Sequence, residues 1–139
     1  MKFLAVFDKT LDFELYWFVN LFLRWKMFTN WIENFGASIT VMDLDGKILD
    51  MNTSAGKVFE KWGGKNLIGT NLNGCHQQKS QEVMKDLMIN DKTNVYTIKK
   101  NGTKKLIYQA PWYDEEGKVA GLVEISMIIP IDMPHFDRG

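Results

Sequence analysis

The sequence predicts an α+β domain built on antiparallel strands and preceded by one aromatic helix. Three observations predict it. Runs of β-forming residues flank Asp45-Gly46 and Asn101-Gly102, which are strong short hairpin signals. Apolar residues recur at helical spacing in two segments, 10–31 and 80–90. The order along the chain is two strands, helices, then three strands, which is the segregated pattern of α+β folds rather than strict βαβ alternation.

Composition bounds what such a domain can be. The 139 residues suffice for one domain with an appendage. Apolar residues make up 45% and charged residues 24%, the balance of a globular chain. The 17 basic and 17 acidic residues cancel, which argues against a nucleic-acid binder. The single cysteine, Cys75, excludes an internal disulfide framework and a multi-cysteine zinc site, and it suits a reducing cytoplasm.

The first helix is expected over residues 10–31. Leu11, Leu15, Phe18, Phe22 and Trp25 recur at steps of four and three, and Thr10 is a candidate cap with Asp12 and Glu14 in the first turn. Charges interrupt this segment, and its longest uncharged stretch, residues 15–23, is far short of the roughly 20 apolar residues a membrane span needs. No basic start and small-residue cleavage site mark a signal peptide. Tyr16, Trp17, Val19 and Leu23 widen the apolar surface beyond one stripe, so the helix needs cover on several faces. Pairing with a second copy of the chain through residues 10–31 is the expectation. The alternatives are a helix that only closes a monomer core and one lying on a membrane surface, for which it is poor in Lys and Arg.

The domain proper is expected over residues 31–130, with a tail at 131–139. Strands are read at 37–44 and 47–51 around Asp45-Gly46. Asn52 and Thr53 offer caps for a short helix through Phe59, and Gly63-Gly64 breaks the chain before a helical turn or loop at 66–72. Ser80 opens a longer helix with Val83, Met84, Leu87 and Met88 on one face, stopped at Asn90. Three strands follow, at 94–99, 105–112 and 119–129, joined by Asn101-Gly102 and by a turn at 114–117. The last two are apolar on both faces: Leu106, Tyr108, Ala110 and Trp112 oppose Ile107, and Val123, Ile125 and Met127 oppose Leu122 and Ile128. Both sides of that sheet need cover. The internal helices supply one side, and the aromatic amino-terminal helix is the remaining apolar element for the other.

At this point the sequence resembles the PAS sensor-domain family. The residues that carry the resemblance are Asp45-Gly46-Lys47-Ile48-Leu49-Asp50-Met51-Asn52, then Ala55, Phe59 and Leu67-Ile68-Gly69, and finally Ala110-Pro111-Trp112-Tyr113-Asp114-Glu115-Glu116-Gly117-Lys118-Val119-Ala120-Gly121-Leu122. Asn73-Gly74-Cys75-His76-Gln77-Gln78-Lys79-Ser80 is similar to a bacterial subgroup with a Cys-His pair before the long helix. The resemblance covers residues 31–130. It implies a five-stranded antiparallel sheet with helices around a small internal pocket, and a role in sensing or signal relay, often as a dimer through an amino-terminal helix.

Candidate binding residues follow from both readings. His76 is a candidate haem-iron ligand, with Cys75 as an alternative thiolate; the bland reading is a hydrogen-bonded loop histidine beside a packed thiol. Flavin photochemistry fits poorly, because Cys75 lies six residues after Gly69 and is followed by His76 rather than Arg. Gln109, Glu124 and Ser126 interrupt apolar strand faces and could orient a ligand, or simply pair across strands. Tyr108 and Trp112 are candidate pocket aromatics, or core. No nucleophile triad, phosphate loop or metal-spaced histidine cluster supports an enzyme, which leaves a Cys75-His76 thiol chemistry as the remote case. The expectation is a cytoplasmic, dimeric sensory module with a small apolar ligand or cofactor. The alternative is a ligand-free interaction module.

Overall fold

The computed structural model describes residues 13–71 and 78–139. The chain divides between Ile32 and Glu33 into two units. The first contains α1 (Phe13–Glu33) up to that point. Residues 10–12, with the expected cap Thr10, lie outside the described residues. On α1 the described aromatic side chains are exposed, Trp17 by 60%, Phe18 by 73%, Phe22 by 62% and Trp25 by 67%. Among the described residues no helix is long and apolar enough to cross a membrane.

The second unit is one antiparallel sheet with helices inserted between its second and third strands. Its elements are β1 (Ser38–Asp43), β2 (Ile48–Met51), α2 (Thr53–Val58), α3 (Gln78–Ile89), β3 (Asn94–Lys100), β4 (Thr103–Tyr113) and β5 (Val119–Ile129). Two 3-10 turns, Glu60–Trp62 and Gly64–Leu67, follow α2 in place of the single turn expected at 66–72. The strand order is β2-β1-β5-β4-β3, so the chain's first and last strands meet at the centre. Residues 131–139 form no helix or strand, and Ile131 O accepts a 3.1 Å hydrogen bond from Lys104 Nζ.

Turn chemistry explains the connections. Asn101 and Gly102 both take positive φ, 50° and 75°, as a type I′ turn requires, and β3 pairs with β4 in register outward from them. The Asp45-Gly46 turn has a different form from the two-residue loop that its dipeptide suggests. Asp43 O accepts from Gly46 N, Asp43 Oδ1 accepts from Asp45 N and Lys47 N, and Gly46 sits at φ 80°. The β4–β5 turn repeats this device residue for residue: Asp114 O accepts from Gly117 N, Asp114 Oδ1 from Glu116 N and Lys118 N, and Gly117 sits at φ 77°. In both, the leading aspartate satisfies the turn's amides, and the glycine four residues into the turn takes the left-handed position.

Asn52 ties α2 to the sheet. Its Oδ1 caps the helix by accepting from Ala55 N at 2.9 Å and also accepts from Ile39 N at 3.0 Å, while its Nδ2 donates to Ala37 O at 2.8 Å. Ser54 Oγ donates to Phe35 O at 2.7 Å. Glu33 is held next to them: Thr53 Oγ1 donates to its Oε1 at 2.7 Å, and Lys65 Nζ pairs with the same oxygen. The hydrogen bond from Lys65, then that from Thr53, holds the Glu33 carboxyl below its usual range. A lowered folded-state pKa stabilises above the unfolded pKa, and that stability is lost as pH falls through the folded one. Both side chains of the pair are about two-fifths exposed. Lys65→Ala is therefore expected to cost under about 1 kcal/mol in urea unfolding at neutral pH, and nothing once the carboxyl is protonated.

The core lies between the inner face of the sheet and the helices. It is rich in methionine: Met42, Met51, Met84 and Met88 join Ile48, Ala55, Leu87 and Leu122, with Phe59, Leu67 and Val119 packed around them. The expected α3 face is three-quarters correct. Met84, Leu87 and Met88 are buried, but Val83 is 40% exposed. Register assigns the sheet's faces. Met42 pairs with Leu122, Thr40 with Glu124, Gln109 with Glu124 and Ile107 with Ser126, so these point inward. Leu106, Tyr108, Ala110, Val123, Ile125 and Met127 point the other way, and most of them are half-buried.

Candidate functional site

The inner face does not close completely. Between α3 and strands β3, β4 and β5 lies a cavity of about 460 Å³. Its apolar wall comes from Phe59, Val83, Met84, Ile98 and Ile107. The Phe59 ring leans on Trp62 with centroids 6.2 Å apart and planes tilted by 58°. Its polar lining comes from Lys79 and Ser80 at the start of α3 and from Asn94, Tyr96, Gln109 and Glu124 on the sheet.

The sheet's polar residues form a single row. Asn94, Gln109 and Glu124 stand opposite one another on β3, β4 and β5. Asn94 Nδ2 donates to Gln109 Oε1 at 2.9 Å, and Gln109 Nε2 donates to Glu124 Oε2 at 2.7 Å. The direction is dictated by chemistry: an ionised carboxylate only accepts, so Gln109 must offer it the amide and turn its own oxygen to Asn94. Gln109 is 7% exposed, so leaving either of its ends unpaired would be costly. Burial, and secondarily the charge of Glu124, pushes the Tyr96 phenol above its usual range.

Register extends the row to β1, where Thr40 stands opposite Glu124. Thr40 is 3% exposed, and its Oγ1 has no hydrogen-bond partner among the described residues. A buried orphan hydroxyl carries its full desolvation penalty. Thr40→Val, which keeps the shape and removes the oxygen, is therefore expected to raise unfolding stability by about 1 kcal/mol in urea. A loss of stability instead would reveal a partner for the hydroxyl.

Two residues expected at the site from sequence, Gln109 and Glu124, line this cavity. Ser126 shares their face but lies outside the lining. Tyr108 points to the opposite face, with Val95 and Ile125 as its cross-strand neighbours. Trp112 also lies away from the cavity, its Nε1 donating to Met42 O at 2.9 Å. Adjacent strand residues point to opposite sides, so Tyr108 and Gln109 cannot serve one pocket together. Cys75 and His76 fall outside the described residues. The described lining offers no histidine or cysteine, and its residues of haem-ligating type are Met84 and Tyr96. No group of three or more His, Cys, Asp or Glu side chains is placed to hold a metal among the described residues. The sequence reading missed Asn94, Tyr96, Phe59, Lys79 and Ser80. For Asn94 and Tyr96 the signal was present, because the Asn101-Gly102 turn fixes what each of them faces.

No family model matches the chain. No curated protein matches it either. Solved structures do. VqmA from Vibrio cholerae, solved as a dimer in the absence of target DNA, superposes with a TM-score of 0.61 at 11% identity, over 75% of this chain and 51% of that one. VqmA bound to DPO gives 0.60 at 12%, over 74% and 57%. This chain thus spans about half the length of VqmA. The PAS domain of histidine kinase ThkA gives 0.55 at 17%, over 65% and 96%. The PAS domain of a Colwellia psychrerythraea protein gives 0.57 at 21%, over 76% and 97%. The five-stranded antiparallel sheet and its inserted helices are a PAS fold.

Proposed function

We propose that this chain is a sensory PAS module whose cavity between α3 and strands β3, β4 and β5 holds a small, largely apolar molecule and whose occupancy is relayed through a dimer. The observation that carries this reading is the cavity itself: a hollow of about 460 Å³ with an apolar wall and one ordered polar row. A few placed polar groups in an apolar hollow are how small-molecule sites fix orientation. The fold is shared with a histidine-kinase PAS domain and with VqmA, a dimer in one structure and bound to DPO in another. Filling the cavity would favour one packing of α3 against β4 and β5, and a ligand transmits only through such a differential affinity. The exposed aromatic surface of α1 supports pairing of two copies through residues 10–31. The reading includes no catalytic step. The balanced net charge supports a chain that does not itself bind nucleic acid, and one cysteine supports a cytoplasmic setting.

Native mass spectrometry of the full chain tests both parts. The expected spectrum shows a dimer carrying an added small-molecule mass, and a paired substitution, Phe18→Lys with Trp25→Lys, yields monomer. An absorbance band in the same sample would identify haem. A monomeric wild type refutes the pairing. A protein with no retained mass and no saturable binder refutes the ligand site in favour of an interaction module with a self-filled core.

A further inference from the structure

Resting on the reading of this cavity as a ligand site, we infer that its ligand is a small organic cation, a protonated amine or amidine carried on an aromatic or apolar body. The polar row has one polarity. Donors run from Asn94 through Gln109 and end on Glu124, so the row delivers no hydrogen-bond donor beyond Glu124 and presents the cavity with acceptor character there. Gln109 occupies Oε2 of that carboxylate. Oε1 has no protein donor among the described residues. The carboxylate has no cation within ion-pair distance among them either. Lys79, the one basic residue among the described residues of the lining, belongs to the opposite wall and is exposed.

Glu124 is half-buried, and a partly buried charge without a counter-charge is costly. A ligand that brings a cation removes this cost; one that brings an anion doubles it. The neighbouring groups agree. Tyr96 feels the negative field of Glu124, and Tyr96 and Phe59 supply aromatic rings to the same hollow. Aromatic faces attract cations electrostatically, and more strongly when both are desolvated. The apolar wall of Val83, Met84, Ile98 and Ile107 suits the uncharged body of such a ligand.

Three probes of matched size separate the possibilities: 2-phenylethylamine, 2-phenylethanol and 3-phenylpropionate, titrated into the full chain by calorimetry and thermal shift at neutral pH. The amine is expected to bind at least tenfold more tightly than the other two. Glu124→Gln is expected to erase that preference, while Glu124→Asp, which keeps the charge, retains it. Circular dichroism of each variant confirms that it folds, and the Asp variant keeps the comparison decisive if Gln does not. If the alcohol or the acid binds as tightly as the amine, or the preference survives Glu124→Gln, the cation inference is overturned and the ligand site stands. Absence of saturable binding by all three probes overturns both.

Discussion

Gly121→Ala is expected to lower unfolding stability by about 3 kcal/mol or more, read as a melting temperature reduced by about 10 °C. The cause is steric rather than conformational. A Cβ built on Gly121 would lie 1.9 Å from the carbonyl oxygen of Met42, 2.9 Å from its carbon, and 2.5 Å from Trp112 Nε1. Two of these atoms are backbone of the central strand pair and cannot swing aside. The third is the indole nitrogen that donates to Met42 O across Gly121, so relieving one clash breaks that bond. Overpacking commonly costs about 1–3 kcal/mol where side chains can adjust, and here the nearest atoms belong to the sheet ladder. Gly36→Ala is the matched control. Its Cβ would meet nothing within 4 Å, so it is expected to change stability by less than about 0.5 kcal/mol. Equal effects of the two substitutions would refute this account.

Asn52→Ala is expected to cost about 3–4 kcal/mol in urea unfolding, a large part of the roughly 5–15 kcal/mol by which domains are stable. Asn52 is 3% exposed and its side chain serves four separate backbone groups, one of which, Phe35 O, also accepts from Ser54 Oγ. Its removal uncaps α2 at Ala55 N, and it strands Ile39 N and Ala37 O. Loss of a helix cap alone costs about 1 kcal/mol. Each further stranded group adds about 1–3 kcal/mol, less whatever water can reach. Asn52→Asp separates these contributions, because it keeps both accepted bonds and loses only the donations to Ala37 O and Phe35 O. It is therefore expected to lose less stability than Asn52→Ala in urea at neutral pH, the difference between the two variants measuring the two accepted bonds. A variant with no greater loss than a surface substitution would show that α2 and the 33–39 segment are held by packing and by the Thr53–Glu33 and Ser54–Phe35 hydrogen bonds without Asn52.

Much of this architecture is legible in the residues themselves. Asn52 is recognisable as a cap because it ends a strand and precedes a helical run, and Asn101-Gly102 fixes β3 against β4 without further information. Counting outward equally from Asn101 and Gly102 brings Asn94 opposite Gln109, so half of the polar row can be derived from the sequence alone. The other half cannot. Trp112 pairs with Gly121 while Tyr113 pairs with Val119, which leaves Ala120 as an extra residue in β5. Without that bulge, counting from the turn would put Val123 opposite Gln109. Nothing about Ala120 by itself announces a bulge; it adjoins the close approach of Met42 and Trp112 at Gly121, contacts distant in sequence. The placing of Tyr108 and Trp112 on the pocket side failed for a related reason. Both faces of β4 carry large apolar groups, so alternation separates the faces without saying which one is inward.

The extra residue at Ala120 has an evolutionary corollary. It sets the strand's reading frame, and a shift of one place would turn every later side chain of β5 over, carrying Glu124 to the rear of the sheet. Descendants of this sequence are free to retune what the hollow accepts by exchanging single side chains along its walls. A residue gained between Gly121 and Glu124 is another matter, since unless it is absorbed as a second bulge it turns over the rest of β5, whereas loss of Ala120 itself would leave Gln109 opposite Glu124.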